Sequence, residues 1–283
     1  MPADPYRIDT MTRADLDLVV SWAAEEGWNP GRHDAEAFFA ADPTGFLIGR
    51  LGDEPIASIS VVRYGATFGF LGFYIVKPAY RGQGYGLRIW NAGMAYLEGR
   101  TVGLDGVVAQ QDNYRRSGFE LAHNNSRFEG VGTGQDVTDP DLVPLDRVRS
   151  SELRAYDHAF FADDRSTFLA AWTQLPGNVG FAFAENGRLA GYGLVRPCRR
   201  GYRVGPLFAD RPEIAERLFA ALRAQVPAGE PIFLDVPTTN PAALELAYRN
   251  GLTSCFDTAR MYRGPAPRLP IERWYGVTSL ELG

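Results

Sequence analysis

The sequence predicts an α/β protein made of two domains in tandem, and three observations carry that prediction. At 283 residues the chain is longer than most single hydrophobic cores sustain. Its two halves run through the same order of elements: a helical opening, short strands, then strand, helix and a glycine followed by a large apolar residue. Between them, from Gly130-Val131-Gly132-Thr133-Gly134-Gln135-Asp136 through to Pro144, periodicity gives way to Gly, Asp, Thr and Pro, the composition of a connection. The expected boundary divides residues 1–135 from residues 136–283.

In the first half, residues 13–22 place apolar side chains at helical spacing, with Thr12 as N-cap. Strands are expected at Gly45–Arg50, Pro55–Tyr64 and Phe68–Val76. A helix should start near Gln83 and run to about Glu98, burying Leu87, Trp90, Met94 and Leu97. A strand near Thr101–Asp105 and a helix ending before Gly118 complete this half.

The second half opens on a helical region, Ser151–Trp172. Strands follow near Val179–Glu185, Arg188–Pro197 and Tyr202–Leu207, then a helix at Pro212–Ala224, a strand at Ile232–Val236 and a helix at Pro241–Asn250. The parallel between the halves is one of element order, with little residue identity. The tail after Gly264 has no pattern that places it.

An apolar fraction of 45% with 12% aromatic residues is that of a globular protein with real cores. No run of eighteen apolar residues occurs, so no transmembrane helix is expected. Met1-Pro2-Ala3-Asp4-Pro5 lacks the charged and apolar regions of a signal peptide, and the expected location is the cytoplasm. Cys198 and Cys255 are then reduced thiols and too few for a disulfide framework. A net charge of −5 argues against a nucleic-acid partner and suits a cationic acceptor. His33, His123 and His158 stand at wide, irregular spacing, so no metal site is expected.

The informative stretch is Val76-Lys77-Pro78-Ala79-Tyr80-Arg81-Gly82-Gln83-Gly84-Tyr85-Gly86, between an apolar strand and an amphipathic helix. Three glycines permit a tight turn that leaves the main chain uncovered. The first turn of the helix adds unpaired N–H groups and the positive end of its dipole, and Arg81 adds a formal charge. Such a surface suits a pyrophosphate. The spacing Gly-x-Gly-x-Gly differs from the Gly-x-Gly-x-x-Gly of dinucleotide-binding domains, and the Gly-Lys-Ser/Thr of a P-loop is absent.

These residues resemble the GNAT superfamily of N-acetyltransferases. The family's pyrophosphate motif, Arg/Gln-x-x-Gly-x-Gly/Ala, falls on Arg81, Gly84 and Gly86, with Gly82, Gln83 and Tyr85 in the same turn. The preceding Tyr74-Ile75-Val76 is similar to the strand whose backbone pairs with the pantetheine arm. Tyr114-Arg115-Arg116-Ser117-Gly118-Phe119 matches a second feature, Tyr-x-x-x-Gly-Phe, whose tyrosine protonates the departing coenzyme A thiolate. A phenol with a pKa of about 10 keeps its proton at neutral pH and suits that task. Many relatives carry an Asn about seven residues earlier; here that position is Val107, with Asn113 as the nearby amide.

The resemblance implies a mixed, mostly antiparallel sheet flanked by helices in each domain, and acetyl-CoA as cosubstrate. In the second half the glycine loop is replaced by Phe208-Ala209-Asp210-Arg211-Pro212-Glu213, where Asp210 and Glu213 have the spacing of an acidic capping box. Such a helix start would repel a phosphate. The whole chain is thus similar to the tandem-GNAT subfamily, with a degenerate second domain.

The expected reaction is direct acetyl transfer to a primary amine of a small molecule, such as a metabolite amine or an amino sugar of the aminoglycoside kind. Alternatives are a coenzyme A-binding sensor without turnover and a protein lysine acetyltransferase. The acceptor region is expected around Glu26, Trp28 and Asn29, with Asp105 and, across the domain junction, Asp157. The base that deprotonates the amine is open among Glu25, Glu26, His33, Asp34, Asp105, Asp157 and His158. The protein is expected to be a monomer or a homodimer.

Overall fold

The structure is a computed structural model that describes residues 5–135 and 137–283. Met1–Asp4, on which the reading of the N-terminal segment rests, and Asp136 lie outside the described residues. In the first half β1 (Tyr6–Thr10), β2 (Phe46–Leu51), β3 (Glu54–Tyr64) and β4 (Phe68–Val76) are successive antiparallel neighbours, and β5 (Thr101–Val107) lies parallel to β4. Helices α1 (Arg13–Glu25) and α2 (Asp34–Ala41) join β1 to β2, α3 (Tyr85–Tyr96) crosses from β4 to β5, and α4 (Gln111–Arg116) leads to β6 (Glu120–Val131). Thr12 does cap α1: Asp15 N–H donates to Thr12 Oγ1 at 3.1 Å, and Thr12 N–H donates to Asp15 Oδ2 at 3.0 Å. The reciprocal pair satisfies donors that a helix start otherwise leaves free.

The second half follows the same plan. It contains β7 (Leu142–Pro144), α5 (Ser150–Asp157), α6 (Ser166–Trp172), β8 (Val179–Glu185), β9 (Arg188–Pro197) and β10 (Tyr202–Ala209). Then come α7 (Pro212–Ala224), β11 (Pro231–Pro237), α8 (Pro241–Arg249), β12 (Thr253–Arg263) and β13 (Trp274–Gly276). Here β10 and β11 are the parallel pair, as β4 and β5 are in the first half.

All these strands join one sheet, in the order β1-β2-β3-β4-β5-β12-β6-β11-β10-β9-β8-β7, with β13 added to β10. The halves have exchanged their closing strands. Thr258–Arg263 of β12 lie opposite Val102–Val107 of β5, while Asn125–Val131 of β6 lie opposite Pro231–Pro237 of β11. A cut at residues 135 and 136 therefore does not separate two closed sheets.

Three local expectations are corrected by tertiary ties. The helical region expected over 151–172 is broken, because Asp163 accepts from Thr67 N–H at 2.9 Å and Thr67 Oγ1 at 2.8 Å, and Asp164 turns the chain ahead of α6, accepting from Ser166 N–H at 3.1 Å. No acidic capping box forms at α7: its N-cap is Arg211, without a side-chain cap. Asp210 instead accepts from the Tyr156 hydroxyl at 2.7 Å and pairs with Arg273. The patternless tail forms β13 and then runs, buried, between the halves.

The helical openings of the two halves pack on each other, with Phe38 of α2 stacked on Trp172 of α6 at 5.9 Å and 14°. Each such ring removes roughly 150–250 Å² from water. Charge is buried here only in pairs, as Asp34 with Arg196 at 3.0 Å and Asp157 with Arg165 at 2.6 Å.

What positions the site is the splaying of the parallel pairs. β4 and β5 are in register from Phe68 opposite Thr101 to Leu71 opposite Leu104, and part beyond that point. A bulge in β4 sets Phe73 and Tyr74 opposite the single residue Ile59 of β3, and Phe73 there has φ +43°. The β5-facing edge of β4 is left without a ladder partner. β10 and β11 part in the same way after Val204 and Leu234. That second gap is filled by β13 and by Val277, whose N–H donates to Asp235 O at 2.8 Å. One cleft is open and the other is closed by the chain itself.

Candidate active site

The open cleft between β4 and β5 is a cavity of about 630 Å³. One end is the glycine turn, where Arg81, Gly82, Gly84 and Gly86 line the wall. Gly84 is the N-cap of α3 with φ +85°, and no side chain caps the helix. A Cβ at Gly82 or Gly84 would point into open space, so the first-turn N–H groups face the cavity uncovered. Such a helix start attracts an anion. Gly86 serves a close approach: a Cβ there would lie 2.7 Å from the Tyr74 hydroxyl oxygen. Arg81 is tied down, donating from Nε to Val76 O at 2.8 Å and pairing with Glu26.

In the middle, the free edge of β4 offers main-chain groups of Gly72–Val76 to an extended ligand. Tyr114 comes in from α4, its ring stacked on Trp90 at 5.9 Å and 24°. Burial pushes its phenol up to about 12. The O–H is therefore a proton donor throughout the neutral range.

The far end is lined by Trp28, Asp105, Arg127, Phe256, Thr258 and Glu281. Arg260 holds Asp105 through two bonds of 2.8 and 2.6 Å, and Asn125 Nδ2 donates to the same carboxylate at 2.8 Å. Burial pushes the Asp105 carboxyl up, against the pull of Arg260. Arg127 is spent on Asp235, at 2.6 and 2.9 Å, and on Trp28 O at 2.8 Å. Thr258 Oγ1 is buried with no hydrogen-bond partner, as if awaiting a ligand group.

Of the residues read from sequence, the cavity wall brings together Tyr74, Ile75, Val76, Arg81, Gly82, Gly84, Gly86 and Tyr114, and with them Glu26, Trp28 and Asp105. Gln83 and Tyr85 belong to the turn without lining it: Gln83 Nε2 donates to Ala79 O at 2.9 Å, and Tyr85 packs on Tyr6 at 4.8 Å. The Asn113 amide is exposed and donates to Gln110 Oε1 at 2.6 Å; Gln110, rather than Asn113, lines the cavity wall. Asn29 lies in a second, neighbouring cleft of about 420 Å³ and exchanges hydrogen bonds with the Arg200 backbone.

Asp157 differs most from expectation. It is 2% exposed, paired to Arg165 and outside the cavity, because a carboxylate at that depth needs a guanidinium rather than a ligand. Sequence reasoning missed Arg127, Phe256, Thr258 and Glu281, which come from the exchanged strands and the tail. No local pattern marks them; the pairing of β12 with β5 and β6, and the docking of the tail against Gly72, bring them in.

A family model described as acetyltransferase (GNAT) family matches residues 13–119, and one described as acetyltransferase (GNAT) domain matches residues 153–276. The holothin acyltransferase of a Pseudoalteromonas species is 36% identical over 270 residues, covering 95% of this chain and 92% of that protein. The chain belongs to the GNAT acetyltransferases. It is a tandem-GNAT acyltransferase, and the reading as a sensor without turnover is set aside. The solved structure of a proposed acetyltransferase from Pyrococcus horikoshii superposes on this acyltransferase with a TM-score of 0.84 at 23% identity, covering 100% of this chain and 98% of that one. A tandem GNAT protein from the clavulanic acid biosynthesis pathway gives a TM-score of 0.61 at 13% identity, over 92% and 99% of the two chains. At these identities the likeness is one of fold.

Proposed function

We propose that this acyltransferase uses acetyl-CoA as its donor and transfers the acyl group directly to a primary amine of a small molecule. The observation that carries the reading is the single cavity that joins an uncapped helix start, a free strand edge and a buried phenol. The residues fit a coenzyme A: bare main chain at Gly82–Gly84 for its phosphates, the edge of β4 for an extended pantetheine arm, and Tyr114 for the thiolate. At the far end Glu281 lines the wall with one carboxylate oxygen beyond hydrogen-bond range of Arg203, which suits a cationic acceptor. The buried far end, 3% exposed at Thr258, favours a compact amine over a lysine on a protein surface. The name of the Pseudoalteromonas relative gives holothin as an acceptor worth including.

The test is thiol release from acetyl-CoA over a panel of small amines that includes holothin, with calorimetry for donor binding. Release that depends on both donor and amine, with the acetylated amine found by mass spectrometry, is the expected result. Acetyl-CoA that binds but turns over with none of the panel, while a lysine peptide reacts, would replace this reading.

A further inference from the structure

We infer that Glu281, in the tail that follows β13, is the catalytic base that takes the proton from the acceptor amine; this deepens the proposed amine acetylation and rests on it. The tail is held at several points. Val277 N–H donates to Asp235 O, Tyr64 Oη donates to Leu282 O at 3.1 Å, and Glu281 O fits where Gly72 has no side chain, 2.1 Å from where a Cβ would stand. Glu281 therefore abuts the same β4 segment that would hold the donor's pantetheine arm. It is 4% exposed and still lines the cavity.

The other carboxylates are less free to act. Asp105 receives three donors, and protonating it would break a buried ion pair. Glu26 is engaged by Arg81 at the phosphate end. In Glu281, Oε2 accepts from Ser279 Oγ at 2.7 Å, while Oε1 has Arg203 Nη1 at 3.7 Å, beyond hydrogen-bond range. Oε1 is the oxygen with room for a proton. The charged groups that act on Glu281 are Arg203 on β10 and Asp105 on β5, and Arg127 on β6 shares the cavity wall with it.

The protons then balance. Glu281 takes one proton from the ammonium group and later releases it to solvent. The N–C bond forms as the C–S bond breaks, the thiolate takes the Tyr114 proton, and the second proton shed by the new amide nitrogen restores the phenol.

The test compares two acceptors, an alkyl amine that is protonated at neutral pH and methoxyamine, a much weaker base that is already neutral there. Glu281→Gln should slow alkyl-amine acetylation by about 10²–10⁴-fold, the usual worth of a general base, and methoxyamine acetylation by less than tenfold. Its alkyl-amine rate should recover as pH rises and frees the amine in solution, while acetyl-CoA affinity stays unchanged by calorimetry. Glu281→Asp keeps a negative charge beside Arg203 and guards against a folding loss; it should show the same discrimination at smaller size. Equal losses on both acceptors, or a Glu281→Gln rate within threefold of the original, would overturn the assignment while leaving the acetyltransferase reading intact. Failure of the unaltered protein on every amine would instead remove that reading, and this inference with it.

Discussion

Gly106 on β5 leaves the space that Tyr114 fills: a Cβ at position 106 would lie 2.1 Å from Cε2 of the Tyr114 ring. Gly106→Ala must therefore displace the phenol or the strand. Overpacking of this kind costs about 1–3 kcal/mol. With Tyr114 as the proposed proton donor, turnover should fall at least about tenfold, since a donor is useful only within hydrogen-bond reach. Steady-state rates and thermal melting measure both effects.

Removing only the hydroxyl separates chemistry from packing. Tyr114→Phe keeps the ring against Trp90 and should melt close to the parent, while kcat drops about 10²-fold on the proposed reading. Because burial holds the phenol near 12, this proton donor is lost only as pH rises through about 12. A descending limb near neutral pH would thus belong to another group.

Gly84→Glu should abolish acetyl-CoA binding. It forces a left-handed backbone, φ +85°, on a residue with a Cβ, and places a carboxylate at the uncapped start of α3. Calorimetry reads the loss; retained micromolar binding would mean that the phosphates lie elsewhere.

His123 should make the fold acid-sensitive. Burial pushes its imidazole down to about 3, so the folded state holds fewer protons than the unfolded chain between about pH 3 and pH 6.5. The stability in question is fully present above about pH 6.5 and is lost as pH falls toward 3. The full loss is about 3–5 kcal/mol by linkage. Urea unfolding at pH 7.5 and pH 4.5 should show the decline, and His123→Gln should flatten it.

Asp157→Asn tests the residue that the sequence assigned to the acceptor. Leaving Arg165 buried without its partner should cost about 3–5 kcal/mol in urea midpoints, with KM for the amine unchanged. A raised KM at unaltered stability would return Asp157 to the site.

The glycine-turn end of the cavity was legible because its physics is local. A glycine turn at the junction of strand and helix, together with a tyrosine four residues before Gly118-Phe119, can be read within short windows, and the cavity wall includes Arg81, Gly84, Gly86 and Tyr114. The acceptor side was not legible, because Arg127, Thr258 and Glu281 meet through strand exchange and a tail with no periodicity. Asp210 failed as a cap for a related reason: Tyr156 and Arg273, distant in sequence, hold it. Likewise α5 and α6 read as one helical region until Asp163 is seen bonded to Thr67.

The place of β12 also has a consequence for how the molecule comes into being. β5 ends at Val107 and waits for a neighbour that begins at Thr253, so a ribosome must deliver some 145 further residues before that ladder can close. Until then β5 presents a bare edge to every other nascent chain nearby. Fragments expressed separately as 1–135 and 136–283 should each be insoluble, yet recover a common fold when refolded as a mixture.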